Sequence, residues 1–115
     1  MKAGTNLEKV LTNGQFAVTA EAGPPKGTSA RVVQQKAESL RPCCDAVNIT
    51  DNQTAVVRMS SLAGCVLLKQ QDVEPVMQMV TRDRNRIALQ SDVLGAIVLG
   101  INNILCLTGD HQGFG

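Results

Sequence analysis

Apolar residues along the chain fall into four short runs: residues 16–21 (FAVTAE), 45–51 (DAVNITD), 75–81 (PVMQMVT) and 103–110 (NILCLTGD). Each is rich in Val, Ile, Leu or Met and of strand length, which predicts strands buried on both faces. In the first run Phe16, Val18 and Ala20 mark one buried face, and Gly23, Pro24 and Pro25 stop the strand just after Glu21. Three longer stretches with helical spacing separate the runs. Residues 28–41 open on Thr28 or Ser29 as an N-cap and set Val32, Val33, Ala37 and Leu40 on one side. Residues 55–71 place Val57, Leu62, Val66 and Leu67 or Leu68 along a broad apolar side. Residues 83–100 group Ile87, Leu94, Ile97 and Val98, leaving Arg82, Arg84 and Gln90 to solvent.

Strand and helix thus alternate every thirty residues or so, the rhythm of βαβ units. That predicts an α/β fold with a parallel sheet, either doubly wound or a (β/α) barrel. No G-x-G-x-x-G follows the first strand and no G-x-x-x-x-G-K-[ST] occurs, so the common nucleotide-binding sheets lose support. Every run ends on polar residues: Glu21, then Thr50 and Asp51, then Thr81, then Thr108 and Asp110. Parallel α/β folds bind their ligands at that end of the sheet. Polar strand ends also arise simply because they meet water.

With 115 residues, 43 % of them apolar, the chain suits one domain with a core of its own. A net charge of +1 gives no electrostatic case for nucleic acid or an anionic membrane. Phe16 and Phe114 are the only aromatic residues, which argues against base stacking as well. Residues 1–14 lack the apolar centre of a targeting signal, and Asn102 and Asn103 interrupt the greasiest segment before it could span a bilayer. A cytoplasmic protein with no membrane insertion is expected.

Cys43 and Cys44 are adjacent, Cys65 and Cys106 lie in apolar runs, and no C-x-x-C pair occurs. These read as buried or incidental thiols in a reducing compartment, with redox sensitivity open to an exposed Cys43–Cys44 pair. His111 is the single histidine, so no zinc ligand set is recognisable and no metal is expected. Nor does His111 have an evident nucleophile to activate. Met59, Met77 and Met79 are read as core. Residues 81–86 (TRDRNR) alternate basic and acidic groups at a helix start, read as solvated ion pairs rather than a phosphate site.

Residues 19–27 (TAEAGPPKG), 45–63 (DAVNITDNQTAVVRMSSLA), 74–96 (EPVMQMVTRDRNRIALQSDVLGA) and 105–112 (LCLTGDHQ) resemble successive segments of the methylenetetrahydrofolate reductases. The likeness runs from Phe16 to Gln112 and is nearest to the form found in anaerobic bacteria. It implies a (β/α)₈ TIM barrel that binds FAD and reduces methylenetetrahydrofolate to methyltetrahydrofolate in one-carbon metabolism. On this resemblance Glu21 matches the carboxylate that acts as general acid toward the folate. Thr50 matches a flavin-contacting threonine closing the second strand, and Asp51 beside it is assigned to the same cofactor contact. Gln78 stands where many members carry a flavin-contacting His, although a satisfied buried amide is a second reading of it. Thr108, Gly109 and Asp110 match an RGD or TGD motif beside the flavin, whose Asp also holds the pterin.

The chemistry suits those residue types. Reduction at the methylene carbon requires the five-membered ring to open to an iminium ion, which protonation of a ring nitrogen promotes. Glu21 at the end of an apolar strand is expected to have its pKa raised by desolvation, and the Gly-Pro-Pro turn to hold it still. Asp110, on a glycine turn, is expected to stay ionised and offset the iminium charge. The electron donor is NAD(P)H or a partner subunit, since the resemblance requires no Rossmann motif.

A full barrel takes ~250 residues, so residues 1–115 read as the N-terminal half of one. Four open strands would leave an edge and an apolar face uncovered. A piece of a longer reductase is expected, or a half-barrel that forms a homo-oligomer or pairs with another chain. The alternative is a non-catalytic half-barrel acting as an assembly module. A different pterin barrel, such as a methyltransferase, would need no flavin.

Overall fold

The computed structural model describes residues 3–115. Four strands, β1 (Thr19–Ala22), β2 (Ala46–Ile49), β3 (Pro75–Val80) and β4 (Ile104–Leu107), form one sheet in the order β1-β2-β3-β4. Every neighbouring pair is parallel. Helices α2 (Ala30–Leu40), α3 (Ser61–Gln70) and α4 (Arg86–Val98) connect successive strands, and α1 (Asn6–Thr12) precedes them. A doubly wound sheet reverses its strand order at a switch point. This sheet has none, so the architecture is that of consecutive βα units of a (β/α)₈-type barrel.

Strand alternation assigns the two faces of the sheet. Ala22, Val47, Ile49, Met77 and Met79 point to the helix side, where they pack with Val33 and Ala37 of α2, Cys65 and Leu68 of α3 and Ala96 of α4. At Gly64 of α3 an added Cβ would fall 2.9 Å from Ile49, so the absent side chain lets the helix approach β2. Glu21, Thr50, Gln78 and Leu107 belong to the opposite face; the register pairs Glu21 with Asn48 and Gln78 with Leu105.

Burial on both faces holds for β3, which is buried throughout, but not for β1 or β4. Those two are the sheet edges and lack a neighbour on one side. The first strand starts at Thr19, not at Phe16. Phe16 is 91 % exposed and Val18 is exposed too, because no neighbouring strand or helix covers them. The third helix begins at Ser61, six residues later than its apolar pattern suggests. Asn52, Thr54 and Ala55 take left-handed conformations before it, and the Ser60 hydroxyl caps it by accepting from Ala63 N at 3.2 Å. Val57 therefore lies outside the helix and is exposed.

In α4 the face turned to the sheet is Leu89, Val93 and Ala96, at helical spacing. The expected group of Ile87, Leu94, Ile97 and Val98 faces outward instead. Helix α1 has a signal that its short polar sequence hides: Thr5 and Glu8 at capping-box spacing, with Thr5 Oγ1 accepting from Glu8 N at 3.1 Å. Glu74 accepts from the backbone N–H groups of Asn6 and Leu7 at 2.6 and 2.7 Å, tying α1 to the foot of β3.

Cys65 is buried, and burial pushes its thiol up to about 12. Cys106, on edge strand β4, is exposed, and so falls on the incidental side of the expectation rather than the buried one. Cys44 leans on the core, and burial foremost, then Cys43 and Asp45, raises its pKa and disfavours the thiolate. No helix among the described residues is long and apolar enough to cross a membrane.

Candidate active site at the carboxyl ends of the strands

The carboxyl ends of the strands enclose a cleft of about 300 Å³, lined in part by Glu21, Thr50, Asp51, Gln78, Thr108, Gly109 and Asp110. The residues assigned to the site from the sequence thus meet in one place, while Thr81, the polar end of the third run, lies outside it. Their surroundings differ from expectation at several points.

Glu21 is exposed, and its one side-chain partner is Gln78, whose Nε2 donates to Oε2 at 3.3 Å. The apolar enclosure expected to desolvate its carboxyl is therefore not provided by the described residues: β1 is an edge strand, and only its alternate residue Ala22 is buried. The rigid arm is present. Pro24 and Pro25 have no N–H of their own, and the turn is held through its carbonyls. Gly23 O accepts from Lys36 Nζ at 2.7 Å, Pro24 O from an Arg58 guanidinium nitrogen at 3.2 Å and Pro25 O from Met59 N at 2.9 Å. A side chain at Gly23 would meet Gln53 Nε2 at 2.7 Å.

Thr50 is buried and donates from Oγ1 to Gln53 Oε1 at 2.7 Å. Asp51 has a fully buried carboxylate that looks into the loops. It accepts from Val80 N at 2.9 Å, from Asn52 Nδ2 at 3.2 Å and from both terminal nitrogens of Arg84. The hydrogen bond to Asp51 raises the pKa of Arg84, burial working against it.

The basic residues before α4 are not solvated. Arg82, with its side chain only 7 % exposed, donates to Asp110 O at 2.9 Å, to Asn52 O at 3.1 Å and in a fork to Asp83 at 2.7–3.0 Å. Asp110 in turn accepts from Thr54 N at 2.6 Å. Gly109 has φ +88°, and an added Cβ would sit 3.1 Å from Arg82 and 3.2 Å from Val80. His111 spends Nδ1 on Gly113 N, at 2.9 Å, within its own turn.

Sequence reasoning missed Gln53, Arg82 and Arg84. Alternating Arg and Asp is the expected signature of a solvated helix start. The signal available at Arg84 was an unpaired Asp51 just after β2, 33 residues earlier.

A polar cleft at the carboxyl ends of consecutive parallel βα units is the site arrangement of barrel enzymes. The family model for methylenetetrahydrofolate reductase matches residues 6–113, nearly the whole chain. The chain belongs to that family. Comparison with individually curated proteins found no match.

Proposed function

We propose that this chain takes part in reducing 5,10-methylenetetrahydrofolate to 5-methyltetrahydrofolate, with FAD as cofactor and NAD(P)H or a partner subunit as electron donor. The observation that carries the reading is the placement of Glu21, on an arm tied at three successive carbonyls, in one cleft with Gln78 and Asp110.

The donor set suits a flavin. Its ring has a polar edge of N–H and C=O groups and two flat apolar faces. Thr50, Gln78 and the backbone of Thr108 and Gly109 carry groups that can pair with such an edge, and Val80 and Leu107 add apolar surface. When bound, the flavin supplies the hydride.

Glu21 delivers the proton that opens the folate ring. A carboxylic acid keeps that proton near neutral pH only in surroundings of low polarity, so the bound pterin has to cover the exposed carboxyl. Gln78 holds one oxygen and leaves the other toward the substrate. Asp110 offsets the positive charge of the opened ring, its carboxylate aimed by Thr54 N–H. Asp51 acts on the cofactor site through the loops it ties together.

The four units read best as the N-terminal half of a barrel, in keeping with the unpaired edges of β1 and β4. Further strands or a second chain would close it, and the cytoplasm suits both the reaction and the free thiols.

Glu21→Gln tests the assignment. Folate reduction should fall by at least about 100-fold, while reduction of the flavin by the electron donor stays nearly intact. If both half-reactions fall together, or neither falls, Glu21 is not the acid. The visible spectrum after mixing with FAD and removing unbound ligand tests the cofactor: a retained flavin band supports it. A second reading, a non-catalytic assembly module, is favoured by exposed Leu94, Ile97 and Val98 on α4. Absence of the band would mean that the cofactor site needs the strands or second chain that close the barrel.

A further inference from the structure

We infer that Arg82 is a positioning residue for Asp110, an assignment that rests on the folate-reducing role given to this cleft. A guanidinium offers five N–H donors in a rigid planar fork. Here they are divided among three loops. Nε and one terminal nitrogen grip Asp83 in the loop after β3. That terminal nitrogen also donates to Asn52 O in the loop after β2, and the other donates to Asp110 O in the loop after β4.

The two carbonyls belong to the two segments that must stay in register for the Asp110 carboxylate to meet Thr54 N–H at 2.6 Å. Arg82 therefore holds the backbone of the donor loop and that of the acceptor loop at once. The donor loop needs holding. Asn52, Thr54 and Ala55 have φ of 48°, 58° and 57°. A left-handed conformation is unfavourable for a branched residue such as Thr54 and persists only where the surroundings impose it.

Gly109 supplies an independent sign that the site is shaped around this side chain. It is left-handed, and a Cβ there would fall 3.1 Å from Arg82. The glycine thus lets the guanidinium lie against the backbone one residue before Asp110. Lysine at this position keeps the charge but has a single nitrogen, which cannot serve both carbonyls and Asp83.

The test compares Arg82→Lys and Arg82→Ala with the unsubstituted protein in each half-reaction and by amide hydrogen exchange. Reduction of the flavin by the donor should stay within about twofold, and reduction of folate should fall by about 100-fold in both variants, the loss that a misplaced catalytic group produces. Millimolar guanidinium should restore part of the folate rate to Arg82→Ala and none to Arg82→Lys, whose side chain fills the space. Exchange at residues 52–55 should quicken in both. Full activity in Arg82→Lys, or an equal fall in the two half-reactions, would overturn the assignment. If the unsubstituted protein reduces no folate, the proposed function fails, and exchange still decides the clamp. Faster exchange confined to residues 52–55 upholds it; unchanged exchange sinks it.

Discussion

The loops after β2, β3 and β4 and the flank formed by α4 and β4 differ in how their side chains are satisfied. In the loops nearly every polar group has a partner within the chain: Asp51 with Arg84 and Val80 N, Arg82 with three loops, Asp110 with Thr54 N. On the flank, Leu94, Ile97 and Val98 are all exposed, and Met79, Leu89, Val93 and Cys106 line an open apolar groove of about 530 Å³. The contrast shows that the carboxyl end of the sheet is organised by interactions the described residues already contain. The apolar side of α4 is built for cover that they do not supply. Loops at one end of a sheet can therefore be tied together while the sheet's edges are still open.

Three measurements would break or sharpen this contrast. The largest effect is expected from Arg84→Met, which strands the fully buried Asp51 carboxylate. Removing one partner of a buried pair should cost about 4 kcal/mol, read as a lower urea midpoint; a loss within error would mean that the loops do not depend on the pair. Next comes a matched pair of leucines. Leu68→Ala, in the packed core, should cost about 3 kcal/mol, whereas Leu94→Ser, 66 % exposed, should cost under about 0.5 kcal/mol. A Leu94→Ser cost comparable to that of Leu68→Ala, growing with protein concentration, would show the flank covered in solution by a second copy.

The smallest effect concerns acid. The Arg82 hydrogen bond holds the Asp83 carboxyl below its ordinary range. A lowered folded-state value adds stability that is fully present above the ordinary carboxylate range, about pH 4. That stability is lost as pH falls through the depressed value. Asp83→Asn should therefore flatten the acid side of the stability curve, and a curve unchanged by the substitution would show that the fork on Arg82 contributes nothing.

Much of this arrangement was legible along the chain. Short apolar runs ending on Glu21, Thr50, Thr81 and Thr108 mark the strands and their ligand-binding ends, because period and turn chemistry are local. The caps Ser60 and Asn85 were not singled out along the chain, and the third helix was expected to start earlier, at Ala55, since apolar spacing does not show left-handed backbone. The burial of Glu21 was misjudged for a different reason. An apolar run before a carboxylate reads the same whether its strand lies inside a sheet or at its edge, and β1 is an edge.

What the amino-acid order determined by itself was the alternation of four strands and their connecting helices, and which polar residues sit at the strand ends. Those follow from side-chain period, caps and glycine and proline, all set within a few residues. Only the tertiary structure decided that the strands lie in sequential order, that Asp51 meets Arg84 across 33 residues, and that Arg82 ties three loops together. It alone decided which face of α4 is covered. These depend on which distant surfaces come together, and apolar or charged character names a need for a partner without naming the partner.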